Sequence, residues 1–330
     1  MRWIKRLLLV FVVVSVVYLF GPSPETPRYV KDWPNVPSLT KLDTWVQERE
    51  RAVKLRPDNE ARIVWANDSL RAKTPYAIVY LHGFSASQEE GDPAHREAAN
   101  FIGANLYLAR LSEHGKDTTE QLLHLTADSY WESAKEALAI GATLGDQVIL
   151  MGTSTGGTQA LQLAAAYPDR VAGLILYSPN IAINDPNAWL LNNPWGLQIA
   201  RLVLGGKYNH PQDDRPIYKQ YWNKPYRLEA TVQLQEMLET TMLPETFQAI
   251  KQPVLMLYYF QDEAHQDRVV RVDAMLKMFD QVGTPTAKKR AVAMPKTGDH
   301  VMASPIKSGD VEGVIRETKR FLQEVMAIRK

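Results

Sequence analysis

The chain has 330 residues, 45% of them hydrophobic and 23% charged, with a net charge of +1. This is the composition of a globular protein long enough for one large α/β domain with an insertion. The balanced charge gives no footing for nucleic acid or a strongly charged partner. The absence of cysteine excludes a disulfide framework, a thiolate nucleophile, a cysteine metal site and a lipid-acceptor cysteine.

Residues 1–20 differ from the rest. Arg2, Lys5 and Arg6 make a short basic head, and residues 7–20 are apolar apart from Ser15. A helix over residues 4–20 would be about 25 Å long, close to the shortest that crosses a bilayer. Two readings fit, a cleaved signal segment and an uncleaved membrane anchor with its basic head inside. Gly21-Pro22-Ser23-Pro24 offers no Ala-x-Ala cleavage site, which favours the anchor. The anchor makes the membrane a partner of the N-terminus, and both readings place the body of the chain outside the cytoplasm, in a periplasmic or extracellular setting. Residues 21–37 carry prolines at 22, 24, 27, 34 and 37 and read as an extended linker. Residues 38–330 then form the folded domain.

Within that domain, residues 39–53 have the apolar spacing of an amphipathic helix. Short apolar runs at 61–65 and 76–81 read as strands. The second ends in His82-Gly83-Phe84-Ser85. Glu89, Glu90, Asp92 and His95 follow in a polar segment that reads as a solvated loop and helix start, with a metal site as the less favoured alternative. Another strand spans 105–109 and a long amphipathic helix Ala127–Leu144.

The most informative stretch comes next. Residues 148–151 (Val-Ile-Leu-Met) form a buried-strand signal that runs into Gly152-Thr153-Ser154-Thr155-Gly156, and residues 158–167 favour helix. Strand, Gly-flanked turn and helix make the context of a nucleophile elbow. The turn is sharp, so flanking side chains would collide with the strand and helix beside it. Ser154 would project its hydroxyl at the positive end of the following helix.

A further strand, Val171–Tyr177, completes an alternation of apolar strands and helical spacers. This argues for a mainly parallel sheet covered on both faces. The alternation breaks at Asn180. From about 180 to 250 the sequence is irregular and aromatic, with Trp189, Trp195, Tyr208, Tyr218, Tyr221, Trp222 and Tyr226. An insertion there would sit over Ser154 as a cap, with some of these aromatics lining an apolar pocket and others forming its own core. The sheet resumes at 253–259 and ends with 288–294, whose exit loop holds Gly298-Asp299-His300. Residues 311–328 close the chain as an amphipathic helix.

A serine hydroxyl needs a base within hydrogen-bond reach. His300 follows the last strand, and in a parallel sheet that loop opens on the same edge as the elbow. A carboxylate must hold the imidazole tautomer. The loop after 253–259 supplies two candidates, Asp262 directly after the strand and Asp267 five residues later. Two backbone donors must meet the charge that develops on a carbonyl oxygen, and the N–H groups of Phe84 and Thr155 are placed for it. His82 is read as structural. No metal or organic cofactor is required.

These motifs resemble the α/β-hydrolase superfamily, in particular its esterase, monoacylglycerol-lipase and serine-aminopeptidase-like branch. The resemblance covers roughly residue 76 to the C-terminus apart from the cap. It rests on His82-Gly83-Phe84, Gly152-Thr153-Ser154-Thr155-Gly156, Asp267-Arg268-Val269-Val270 and Gly298-Asp299-His300. It implies an eight-stranded, mostly parallel sheet with helices on both faces and a helical cap insertion. Its Asp-x-Val-Val pattern implies Asp267 as the acid, although residues 260–266 depart from the shorter loop usual there. The activity implied is that of a serine carboxylesterase or lipase, in which Ser154 forms an acyl-enzyme from a small-molecule ester. A peptidase or amidase acting on small peptides is the alternative within enzymes, and a non-catalytic membrane-tethered binding protein the alternative outside them.

Overall fold

The protein was analysed as a computed structural model, which describes residues 2–328. Met1 of the basic head and the last two residues of the chain lie outside the described residues. Nine strands and eleven α-helices are found among those described. The main elements are, in order, α1 (Arg2–Leu19), α2 (Leu39–Arg51), β1 (Arg62–Val64), β2 (Thr74–Leu81), α3 (Ala94–Ile102), β3 (Asn105–Leu108), α4 (Ala127–Leu144), β4 (Gly145–Thr153), α5 (Thr155–Ala166) and β5 (Val171–Tyr177). The insertion holds α6 (Gly196–Val203), β6 (Tyr208–Asn209), α7 (Pro216–Tyr221), β7 (Tyr226–Arg227), α8 (Leu228–Thr241) and α9 (Pro244–Ala249). Then come β8 (Val254–Tyr258), α10 (Val272–Gln281), β9 (Lys289–Ala293) and α11 (Val311–Glu324).

Seven strands make one sheet in the order β1-β3-β2-β4-β5-β8-β9. All neighbours are parallel except β1, which runs antiparallel to β3 at the edge. The expected strands are therefore all present. The sheet has seven members rather than eight, because the ordered segment before β1 is the helix α2 and not another edge strand. Strand side chains alternate between two cores. Ala77, Val79, Leu81, Val148 and Leu150 pack on one face under helices that include α4, α5 and α10. Ile78, Tyr80, Ile149, Met151 and Ile175 pack on the other under α3 and α11. Burial on both faces is why these strands read as continuous apolar runs. The long helix α4 starts with a capping box in which the Thr126 side chain accepts the Ser129 N–H at 3.0 Å and Ser129 reciprocates.

The expectation of a membrane-spanning helix at the N-terminus finds no support in the structure. No helix among the described residues is long and apolar enough to cross a membrane. The helix α1 forms where a span was expected, but Arg2, Lys5 and Arg6 occupy its first turns. The uncharged remainder, residues 7–19, is about 20 Å long, short of a bilayer core of about 30 Å. Residues 21–37 carry no helix or strand, yet they are fastened down rather than loose. The carboxylate of Asp128 accepts the N–H groups of Arg28 and Tyr29 at 2.8 and 2.9 Å. The carbonyl of Val30 accepts from Trp131 Nε1 at 2.8 Å and from the buried Lys135 ammonium at 2.9 Å. This segment is a strap along α4. The end of α1 is held in turn by the cap, where Trp195 Nε1 donates to the Val17 carbonyl at 2.9 Å.

At the elbow two backbone segments pass close together. A Cβ built on Gly156 would lie 1.8 Å from the Leu81 carbonyl oxygen, far inside contact distance, with backbone on the other side that cannot swing away. Gly156→Ala is therefore expected to cost about 3 kcal/mol or more. A thermal melt of the variant that matches the wild type would show that the two segments are not so closely packed.

Candidate active site

Ser154 sits at the junction of β4 and α5 with φ +52° and ψ −119°, a conformation that is strained for a residue with a side chain. The strain is over-determined by its surroundings. The Ser154 N–H donates to the Tyr177 carbonyl at 2.9 Å, and the Ser154 carbonyl accepts from Gly157 and Asn180, each at 2.9 Å. The helix α5 begins at the next residue, so the Thr155 N–H is the first of its unpaired amino-terminal donors.

The loop after β2 lies beside it, because strand register sets Leu81 opposite Gly152. Three of its groups are tied to buried side chains. The Gly83 N–H donates to Glu90 Oε2 at 2.6 Å, and the Ser85 N–H donates to His114 Nε2 at 3.0 Å. His82 accepts the Leu111 N–H at Nε2 (3.0 Å) and so carries its proton on Nδ1, which donates to the Gly83 carbonyl at 2.9 Å. Burial drives the His82 pKa down to about 4, so it remains neutral and structural, as expected. The Phe84 N–H, between these anchors, has no acceptor among the described residues.

On the far side, His300 Nδ1 donates to Asp267 Oδ2 at 2.6 Å. The other oxygen, Asp267 Oδ1, accepts the N–H groups of Val269 and Val270 at 2.8 and 3.0 Å. Burial alone would raise the Asp267 pKa, but His300 and the two amides outweigh it and hold it below the ordinary carboxylate value. Burial likewise works against a charged His300, and Asp267 outweighs that to leave its pKa raised. Asp262 lies elsewhere. It is half exposed and bonded to His265 Nδ1 at 2.8 Å. A bridge between Phe260 and Gln266 closes residues 261–265 into an excursion, and the Asp267 N–H reaches back to the Tyr259 carbonyl at 3.1 Å. In space, Asp267 is thus the first residue past the strand.

Ser154, Thr155, Phe84, His300 and Glu90 all line one cavity of about 700 Å³. The cap closes it with Leu204, Tyr218, Trp222, Tyr226 and Leu234. The other cap aromatics have different tasks. Tyr208 donates to Glu120 at 2.6 Å, Tyr221 donates to Asp58 at 2.8 Å, and Trp189 is exposed. Of the polar residues after the loop, His95 is buried against Tyr80 and hydrogen-bonded to the Gln88 carbonyl at 3.0 Å, while Asp92 pairs with Arg96 at 2.7 Å. Glu90 turns inward instead of to solvent. Its sequence context gave no signal of this, because its partner is a backbone amide.

The family model described as serine aminopeptidase, S33, matches residues 76–296. A protein of Mycobacterium tuberculosis named lipase LipV is 30% identical over 114 residues, a match that spans 33% of this chain and 40% of the relative. The chain thus covers about two fifths of the length of that curated relative. Among solved structures, one from a study of the metagenome-derived lipolytic enzymes LipS and LipT superposes with a TM-score of 0.66 at 16% identity, covering 82% of this chain and 99% of that one. A monoacylglycerol lipase of Paleococcus ferrophilus gives a TM-score of 0.60 at 15% identity, covering 79% and 97%. At such identities these likenesses speak for the fold.

The ion pair at His300 is open to direct measurement. Replacing Asp267 by Asn is expected to lower the His300 pKa, followed by NMR of its ring protons, because the largest favourable charge is removed. Asp262→Asn is expected to leave that titration in place, and the reverse pattern would reassign the partner of His300.

Proposed function

Since the chain belongs to the serine aminopeptidase S33 family of α/β-hydrolases, we propose that it is a serine hydrolase cleaving carboxylic esters through an acyl-enzyme. The observation that carries this reading is a strained Ser154 facing the same cavity as a buried His300 whose other nitrogen is held by Asp267. With Nδ1 committed to Asp267, Nε2 on the opposite edge of the ring is the nitrogen available to the serine hydroxyl. His300 takes the proton as Ser154 attacks the ester carbonyl. The N–H groups of Phe84 and Thr155 receive the oxyanion, each such donor contributing on the order of 10²–10³ in rate. The tetrahedral intermediate collapses as His300 returns the proton to the departing alcohol. Water then enters and attacks the acyl carbon as His300 takes its proton, and the bond to Ser154 breaks as His300 returns that proton to the serine oxygen, releasing the acid. Asp267 stays ionised throughout and stabilises the imidazolium.

The cavity supports an acyl or alkyl substrate over a peptide. Its cap side is aromatic and aliphatic, and Asp185 is the one carboxylate the cap lends to it among the described residues. The names carried by the relatives, lipase and monoacylglycerol lipase, agree with esters as substrates.

We infer further that α1 attaches the enzyme to a membrane surface without crossing it. Leu8, Phe11 and Phe20 are 65%, 71% and 85% exposed, and the basic head suits anionic lipid headgroups. A basic head ahead of an apolar stretch, with the body following, is also the order of an export segment, which supports a catalytic body outside the cytoplasm. Deleting residues 2–20 is expected to shift the protein from the membrane fraction to the soluble one, and equal partition of both forms would remove the attachment.

Two outcomes test the chemistry. Ser154→Ala should abolish labelling by a fluorophosphonate probe and lower p-nitrophenyl butyrate hydrolysis by at least about 10³-fold while the melting temperature holds. A labelled variant would place the nucleophile elsewhere. The base must be neutral to work, and its pKa is raised above the imidazole value. The rate should therefore fall as pH drops through a limb lying above about 6.5, and a limb centred near the carboxylate range would exclude His300 as the base.

A further inference from the structure

Glu90 is a buried titratable side chain of the cavity to which the proposed reaction gives no task. It is 2% exposed and has no lysine or arginine partner among the described residues. Burying an unpaired carboxyl is costly, so its retention at this point needs a cause. Among the described residues its carboxyl takes part in one hydrogen bond, accepting the Gly83 N–H at 2.6 Å. A Cβ on Gly83 would lie 2.9 Å from both Glu90 oxygens and 3.1 Å from the Ser154 Cβ, so the carboxyl, the loop and the nucleophile are in contact.

The loop has three consecutive backbone donors. Gly83 is held by Glu90 and Ser85 by His114, while Asn223 from the cap side donates to the Ser85 carbonyl at 2.6 Å. Fixing the amides on either side decides where the middle one points. We propose that Glu90 is a positioning residue that holds the His82–Ser85 loop so that the Phe84 N–H faces the developing oxyanion, and that its charge acts on His300 as a second carboxylate beside Asp267. This inference rests on the Ser154 mechanism.

The surroundings of Glu90 make its charge felt. Tyr80 of β2, Tyr130 of α4 and Tyr218 of α7 lie within reach of its charge, as do Asp299 and His300 of the loop before α11, and Glu89 and Asp92 lie on its own segment. Burial raises the Glu90 pKa to about 7, against the pull of the Gly83 amide and His300. The same charge contributes to the raised pKa of His300.

The test uses the full chain, a fluorophosphonate probe and p-nitrophenyl butyrate, with Glu90→Ala and Glu90→Gln. Alanine leaves the Gly83 N–H buried without an acceptor, whereas the glutamine amide oxygen can replace the lost one without charge. Alanine is expected to slow phosphonylation of Ser154 and kcat by about 10- to 100-fold, with KM nearly unchanged, and glutamine to restore most of that loss. With the second carboxylate removed, the acid limb of Glu90→Gln is expected to move to lower pH. Phosphonylation of Glu90→Ala within twofold of wild type, or a Glu90→Gln limb that superimposes on the wild-type one, overturns the proposal. If the alanine variant does not fold, the glutamine limb alone decides. Wild-type protein that does not label overturns the Ser154 mechanism together with this inference, whereas a labelled wild type with unaffected variants overturns this inference alone.

Discussion

The close approach of two backbone segments, Gly156 at the start of α5 and Leu81 at the end of β2, is the constraint on which the rest of the site depends. Strand register sets Leu81 opposite Gly152, and the absence of a side chain at Gly156 lets the turn of α5 drop onto the Leu81 carbonyl. Two consequences follow. Ser154 is forced into its left-handed conformation at the top of the sheet, and the loop leaving β2 is brought alongside the first amide of α5. A hole for an oxyanion needs two donors converging from different parts of the chain. On the proposed mechanism they come from the ends of adjacent parallel strands whose relative height is fixed by sheet hydrogen bonds, so the geometry is inherited from the sheet.

The parts that were legible in the sequence are those whose signal is local. The seven sheet strands could be read because both faces are buried, which turns each into an uninterrupted apolar run. Ser154 and its glycines could be read because the strand-turn-helix context is contiguous. The carboxylate partner of His300 was ambiguous for a physical reason. Counting along the chain favours Asp262, but the bridge between Phe260 and Gln266 folds residues 261–265 out of the path, and space follows hydrogen bonding rather than residue number. The cap aromatics could not be sorted in advance, since Tyr218, Trp222 and Tyr226 face the cavity while Tyr208 and Tyr221 spend their hydroxyls on Glu120 and Asp58. Residues 21–37 looked like a loose linker because proline content says nothing of the α4 side chains, Asp128, Trp131 and Lys135, that hold them. A span at the N-terminus was expected from apolar content, and it finds no support because three basic residues are taken into the helix and shorten its apolar part.

The pairing of Asp267 with Glu90 shows how environment separates two chemically similar groups. Asp267 is buried, yet it receives two amides and an imidazole N–H, and this solvation by fixed dipoles keeps it ionised. Glu90 is equally buried but receives a single amide, which does not offset desolvation, so its pKa stands near neutrality at about 7. Two carboxyls in one site with pKa values pushed apart are suited to different tasks.

On the proposed mechanism those tasks pull in opposite directions at Glu90. When Ser154 attacks, positive charge appears on His300 and negative charge on the substrate oxygen. An ionised Glu90 favours the first and opposes the second, because it stands behind the same loop that holds the Phe84 amide. A permanently charged group there would weaken the oxyanion site in proportion to the low local dielectric. A permanently neutral one would forfeit its support of the imidazolium. A carboxyl that binds its proton near neutral pH can shift its charge with little penalty as the reaction redistributes charge around it. The Gly83 N–H retains an acceptor in either state, since a protonated carboxyl keeps a carbonyl oxygen. The loop is therefore held whether or not Glu90 is charged, which separates its part in geometry from its part in electrostatics.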